Sequence, residues 1–149
     1  MRALATIAGL GAVLLAGCAT VPIMGGPATM VAASGETAPV GTANEDAADD
    51  PAIWRNAADP AASLIVATDK KAGLYVYGLD GSVRTFAPGG LLNNVDLVTV
   101  DGQVLVAASK RDDPANSAIS LYRLNTGTGA LAALGDIASG AGEAYGLCL

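Results

Sequence analysis

The stretch LIVATDKK, residues 64–71, recurs as VLVAASKR at residues 104–111, an offset of 40 residues. Each copy is an apolar run of strand length that ends in basic residues. Each is followed by a second apolar run that carries a tyrosine, Tyr77 in the first case and Tyr122 in the second. Because these tyrosines lie 45 residues apart, the second copy has the longer connecting loop. The chain therefore contains an internal β repeat.

The repeat extends beyond these strands. DPAIW (50–54) corresponds to NVDLV (94–98), and EAYGL (143–147) opens a third copy, so the copies start 44 and 49 residues apart. A β-only repeat of this length is typical of a four-stranded blade of a β-propeller. Since a propeller ring needs about four to eight blades, we expect the chain to supply two blades and the start of a third, as the N-terminal part of a longer protein.

Turn signals divide the repeat region into short strands. Asp101-Gly102 separates the apolar runs 95–100 and 103–108, and an Asp-Gly pair in that position is a strong hairpin signal. The other predicted strands are residues 64–68, 74–77 and 119–124. Beyond the N-terminal segment, residues 1–18, no window shows helical periodicity, so the predicted fold class is all-β.

Composition excludes several classes of function. The 149 residues include no histidine, which removes Ser-His-Asp triads, Cys-His pairs and His-ligated zinc from this stretch. The formal net charge is -6 and the Lys and Arg residues form no basic run, so nucleic acid is not an expected partner. The remaining chemistry rests on carboxylates, Lys, Arg, Tyr and hard metal ions.

The N-terminus predicts export. Residues 1–18, MRALATIAGLGAVLLAGC, combine one positive charge with an apolar run that is too short to span a bilayer. Residues 15–18, LAGC, resemble the bacterial lipobox, in which Cys18 becomes the lipidated first residue. We therefore expect an exported protein, lipid-anchored at the bacterial cell envelope on its periplasmic or outer side. The alternative is an ordinary signal peptide, an incidental Cys18 and a secreted protein.

Residues 19–41 are rich in Gly, Pro, Ala, Ser and Thr, which predicts a flexible tether between the membrane and the domain. The alternative is that residues 30–40 dock on the domain as an extended strand. Residues 42–149 then form the partial propeller domain.

Seven motifs resemble those of the β-propeller phytases in order and approximate spacing. They are ETAPV (36–40), DAADDPAIW (46–54), TDKKAGLYVY (68–77), LNNVDL (92–97), AASKR (107–111), ISLYRL (119–124) and EAYGLCL (143–149). The resemblance implies a six-bladed propeller that holds calcium ions and removes phosphate stepwise from phytate, the hexakisphosphate of inositol. Lys110 departs from the family, which usually has Asn before the arginine, and the segment between Asp96 and Val104 is shorter.

The adjacent acids Asp49 and Asp50 precede Pro51. Crowded carboxylates are tolerated best beside a cation, and oxygen donors without His or Cys favour calcium. The resemblance implies that Asp50 and the carbonyls of Pro51 and Val95 bind calcium near the channel. It assigns Glu36 and Asp49 to the metals at the catalytic face. From the residues alone, a solvated acidic turn remains the alternative.

Lys70 and Arg111 end equivalent strands of successive repeats, so a propeller would bring both to one face. Arg offers a fixed bidentate fork for phosphate and Lys offers a mobile point charge. The resemblance implies that Lys70, Arg111 and Tyr145 contact substrate phosphate, with Lys71 a weaker candidate. Solvated strand ends and an ordinary strand tyrosine are the alternatives.

The expected function is calcium-dependent hydrolysis of a phosphomonoester, with phytate or its calcium complex as the small-molecule substrate and a metal-activated water as the nucleophile. The resemblance places most carboxylates that would hold this water in further blades, so we assign no catalytic residue here and expect the 149 residues alone to be inactive. The full-length protein is expected to be a monomer. The alternatives are a non-catalytic propeller that binds a ligand or protein, and another calcium-dependent phosphoesterase.

Overall fold

A computed structural model describes residues 25, 26 and 28–149. The chain divides into two units, Met1–Ala32 and Ala33–Leu149. The described residues of the first unit are exposed and contain no helix or strand. Within the described part of the chain, no helix is long and apolar enough to cross a membrane.

Eight strands of the second unit form two four-stranded antiparallel sheets, each in sequential order. The first sheet consists of β1 (Ala48–Trp54), β2 (Leu64–Asp69), β3 (Gly73–Gly78) and β4 (Val83–Pro88). The second consists of β5 (Leu92–Val100), β6 (Gln103–Lys110), β7 (Asn116–Leu124) and β8 (Leu131–Ala141). A single 3-10 turn, Pro60–Ala62, joins β1 to β2.

The predicted all-β class is confirmed, and the two sheets are consistent with two blades of a partial propeller. The Asp101-Gly102 hairpin is confirmed too: Asp101 and Gly102 have φ angles of 49° and 75°, as a two-residue turn with positive φ at both positions requires. The sequence does not individually predict strands β1, β4 and β8. The apolar residues of β4 do not alternate with polar ones, and β8 is interrupted by Gly135 and Gly140.

The hydrophobic core lies between the two sheets, where β1 and β2 pack against β5. Strands alternate their side chains between faces, so alternate residues of β2, β3, β6 and β7 reach this core. Trp54 packs against the same cluster. The buried members of the core are Ala52, Leu64, Val66, Leu74, Val76, Leu92, Val95, Val104, Val106, Ala108, Tyr122 and Leu124.

The offset of 40 residues between the copies of β2 and β6 is wrong by one residue. Lys70 N donates to Ala47 O at 2.7 Å in the first sheet, and Arg111 N donates to Leu91 O at 2.9 Å in the second. Lys70 is therefore the structural equivalent of Arg111, an offset of 41. Sequence comparison misses this because β6 contains two consecutive alanines, either of which aligns with Ala67.

Structurally equivalent residues of the two sheets do not both face the contact between the sheets. Leu64 faces the second sheet, whereas its equivalent Leu105 points away from the first sheet, and the core contact comes from Val104 and Val106. The two sheets thus meet through opposite faces and stack head to tail. This is how consecutive blades of a propeller pack.

The turn between β7 and β8 closes the outer edge of the contact between the sheets. Thr85 Oγ1 donates to Gly129 O at 2.6 Å. Gly129 has φ +76°, and an added Cβ would lie 2.8 Å from the Cβ of Arg84 and 3.3 Å from Val76 Cγ1. A glycine is therefore required here both by the backbone conformation and by the approach of β4.

Replacing Gly129 by alanine is expected to lower the free energy of unfolding by about 2–5 kcal/mol, through about 1–2 kcal/mol of left-handed strain and about 1–3 kcal/mol of overpacking. Gly102 is a matched control, because its φ is +75° but an added Cβ meets nothing within 4 Å. Gly102→Ala is expected to lose only the strain. Urea unfolding of both variants measures the difference, and equal losses would contradict the contact between the sheets.

Candidate functional site

The acid pair lies on a β-bulge in β1. Ala48 pairs with Asp69 and Pro51 pairs with Ala67, so Asp49 and Asp50 together oppose Thr68. Asp50 N donates to Thr68 Oγ1 at 3.0 Å, which fixes the bulged backbone. Bulges of this kind redirect side chains and are common beside functional sites.

The second sheet repeats this bulge with different side chains. Leu92 pairs with Lys110 and Val95 pairs with Ala108, so the extra residues are asparagines, Asn93 and Asn94. Asn94 N donates to Ser109 Oγ at 2.9 Å, as Asp50 N does to the threonine of the first sheet. The bulged backbone is common to both sheets, but only the bulge of the first sheet carries negatively charged side chains.

Asp50 also links the two bulges directly. Its Oδ2 accepts a hydrogen bond from Val95 N at 3.0 Å, across 45 positions of sequence. Both bulges therefore lie side by side, and Asp50 contacts the main chain of Val95, another residue that is predicted to bind calcium. The adjacent carboxylate of Asp49 points elsewhere, with Oδ1 3.6 Å from Lys70 Nζ.

Lys70 is held at the end of β2 by two carboxylates. Its side chain is only 11% exposed, and Nζ donates to Asp46 Oδ2 at 2.7 Å. The hydrogen bond to Asp46 raises the pKa of Lys70, with a further contribution from the charge of Asp49. The same bond lowers the pKa of Asp46. The pair is therefore ionised throughout the neutral range.

The Asp46 carboxyl marks where the predicted phosphate contacts converge. Besides Lys70, the positive charges of Lys71 and Arg111 also lower its pKa. Lys71 Nζ lies 3.4 Å from Glu45 Oε2 on an exposed part of the surface. Three basic side chains that follow β2 and β6 thus act electrostatically on the Asp46 carboxyl.

Arg111 is held by the segment that follows the second sheet. Its Nη1 donates to Glu143 Oε1 at 3.0 Å, and its Cζ lies 5.3 Å from the centroid of the Tyr145 ring. A guanidinium at this distance over an aromatic face is stabilised electrostatically. The structure therefore brings Tyr145 to Arg111 through its ring.

Two predicted residues lie elsewhere. The backbone of Glu36 contacts Gly81 in the turn between β3 and β4, where Ala38 N donates to Gly81 O at 2.8 Å. This turn is at the opposite end of the first sheet from Lys70 and Asp49, so the structure does not bring Glu36 to the other candidates. Cys18 lies outside the described residues.

The extended segment 38–42, which the sequence assigned largely to the tether, is fixed to the first sheet. Gly41 N donates to Tyr75 Oη at 2.9 Å, and Thr42 N donates to Asp69 Oδ2 at 3.1 Å. Asp69 is fully buried, and its Oδ1 accepts from Lys71 N at 3.0 Å. Asp69 thus supports the backbone of the basic pair.

Sequence reasoning missed Asp46, Glu143 and Asp69. Asp46 stands in DAADDPAIW and Glu143 in EAYGLCL, but only the fold brings them to Lys70 and Arg111. Asp69 is visible in sequence as an acid at the end of an apolar strand. Burial of such an acid requires hydrogen-bond donors, which here come from the main chain.

The site offers oxygen ligands of the kind that calcium prefers. They are the Asp49 and Asp50 carboxylates and the main-chain carbonyls of the two bulges. Among the residues that the structure describes, no three acids or cysteines are close enough together to hold a metal ion. The donor chemistry fits a hard cation, but the described carboxylates supply only part of a coordination shell.

A model of the phytase family matches residues 2–149. The 3-phytase of Bacillus subtilis (strain 168) is 39% identical over 128 residues, which cover 80% of this chain and 33% of that protein. The chain thus spans about a third of the length of the curated relative that it matches. With its two stacked sheets and its basic strand ends, the chain belongs to the phytase family.

Proposed function

We propose that the chain supplies phosphate-binding and calcium-binding residues to a phosphomonoester hydrolase that releases phosphate from phytate. The observation that carries the proposal is the structural equivalence of Lys70 and Arg111, each of which ends the second strand of its sheet beside an acidic segment. Membership of the phytase family supports the same reaction.

Lys70, Arg111 and Tyr145 bind substrate phosphate in this proposal, and Lys71 serves a neighbouring phosphate of the same ring. Asp46 holds Lys70 protonated, since their hydrogen bond raises the pKa of the lysine. The positive charges stabilise the negative charge that develops on the phosphoryl oxygens during transfer.

Asp50 and the carbonyls of Pro51 and Val95 hold calcium beside the channel in this proposal. Asp49 and Glu36 contribute to the metals nearer the substrate, and for Glu36 this requires the segment around it to lie differently. When bound, calcium neutralises phosphate charge and lowers the pKa of a water molecule that attacks phosphorus.

We further propose that the protein is exported and lipid-anchored through Cys18, that it acts as a monomer, and that phytate or its calcium complex is the substrate. The 149 residues by themselves are expected to bind phosphate without turnover.

Lys70→Ala and Arg111→Ala are each expected to lower kcat/KM for phosphate release from phytate by the native protein about 10–100-fold, because each removes a charge-assisted hydrogen bond to phosphate. Arg84→Ala is the control, since Arg84 pairs with Asp80 in the turn between β3 and β4, at the far end of the first sheet. Unchanged kinetics in both Lys70 and Arg111 variants would contradict the assignment.

A native protein that binds phytate tightly but releases no phosphate with calcium present would instead support the non-catalytic propeller. Equal rates with phytate and with a simple aryl phosphate would indicate a less specific phosphoesterase. Inorganic phosphate, measured as it is released, separates these outcomes.

Comparing Asp50→Asn with Asp50→Ala separates the effect of losing the negative charge from the effect of losing the hydrogen bond to Val95 N. The amide oxygen of Asn still accepts from Val95 N, so Asp50→Asn is expected to keep the unfolding free energy while weakening calcium binding about tenfold or more, because affinity follows ligand charge. Asp50→Ala leaves that N–H unpaired and is expected to lose about 1–3 kcal/mol of stability as well.

Calcium titration by calorimetry and urea unfolding without calcium measure the two effects. Asp80→Asn, a change of the same kind at the distant turn, is the control. Calcium affinity that is equal in wild type and Asp50→Asn, or phytate hydrolysis that survives chelation, would contradict the calcium proposal.

A further inference from the structure

The guanidinium of Arg111 is fixed on two sides by residues of one short segment. Glu143 Oε1 accepts from Nη1 at 3.0 Å, and the Tyr145 ring lies 5.3 Å from Cζ. The Arg111 side chain is 18% exposed. An arginine on a strand end normally samples many rotamers, and this one is restrained by a carboxylate at one edge and a ring at one face.

The segment that carries Glu143 and Tyr145 is itself tied to the second sheet at both ends. Gly142 N donates to Ala115 O at 3.0 Å, and Leu149 N donates to Asp96 Oδ2 at 2.8 Å. These bonds hold the main chain of the segment against the second sheet independently of the ion pair, so the Glu143 side chain extends toward Arg111 from a fixed backbone.

We propose that Glu143 is a positioning residue that orients Arg111 for phosphate, an inference that rests on the proposed function. Arginine has five N–H donors in a rigid fork, and Glu143 engages Nη1. The other donors remain for the substrate, and the fork binds with less loss of side-chain freedom than a free arginine.

The contacts of Lys70 show why this role falls to Glu143. The Asp46 side chain that pairs with Lys70 is 86% exposed, whereas the Glu143 side chain is 40% exposed. An exposed partner is a counter-ion that solvent and substrate displace easily. A less exposed partner, on a segment that is hydrogen-bonded to the sheet before and after it, maintains geometry. Glu143 belongs to the second kind.

The test compares Glu143→Asp with Glu143→Gln in the native protein, with phytate as substrate. Aspartate keeps the charge but is one methylene too short to reach Nη1, so KM is expected to rise about 5–20-fold with kcat within about twofold. Glutamine loses the charge but its amide oxygen accepts the same bond, so its KM is expected to stay within about threefold of wild type.

Each variant is also made together with Arg111→Ala, where Glu143→Asp is expected to have no further effect because the side chain that it orients is gone. Asp80→Asn is the matched control, since Asp80 accepts from Arg84 at 3.1 Å in an ion pair of the same kind at the distant turn. Thermal unfolding of every variant reports on the fold separately.

Three results would overturn the inference. They are wild-type KM in Glu143→Asp, a KM that falls in Glu143→Gln because the carboxylate competes with phosphate, or equal effects of Glu143→Asp with and without Arg111. In each case the proposed function stands if the wild-type protein releases phosphate. A wild-type protein that neither binds nor hydrolyses phytate would overturn both.

Discussion

The hydrogen bond from Val95 N to the Asp50 carboxylate is the constraint on which the site depends. It joins the bulge of β1 to the bulge of β5 at the point where the two sheets meet. A bulge leaves main-chain groups out of the ladder, and an acid at that position satisfies the N–H of the neighbouring sheet. This contact fixes how the two bulges lie against each other, while the apolar core holds the sheets together.

The two copies of the repeat share a backbone framework but carry different side chains on it. Both sheets have the same bulge, the same hydroxyl that accepts from it, and the same main-chain bond from the basic residue at the end of the second strand. The side chains on that framework differ: aspartates occupy the first bulge, and asparagines Asn93 and Asn94 occupy the second. The same backbone arrangement in both sheets thus places carboxylates on one side of the site and an arginine on the other.

Sequence patterns predicted the parts of the fold that local chemistry determines. Strand alternation and the Asp101-Gly102 turn identified the inner strands, because apolar side chains in β2, β3, β5 and β6 fill one core. Such patterns did not predict contacts between residues that lie far apart in the sequence. Asp46 and Glu143 are hydrophilic residues without a local signal, and only the order of strands brings them to Lys70 and Arg111. The one-residue error in the repeat offset has a similar origin, since alanines do not fix a register.

Because the sheets stack head to tail, the face of the first sheet that points away from the second sheet is equivalent to the face through which the second sheet packs against the first. Ile65 and Tyr77 of the first sheet correspond to Val106 and Tyr122, which are buried between the sheets. On the first sheet, this face instead borders a cleft of about 360 Å³ beneath the extended residues 37–40. When two sheets meet through unlike faces, each added sheet exposes the same kind of face again. The contact can therefore be repeated beyond two sheets. In a propeller, closure of the stacked sheets into a ring leaves no such face open.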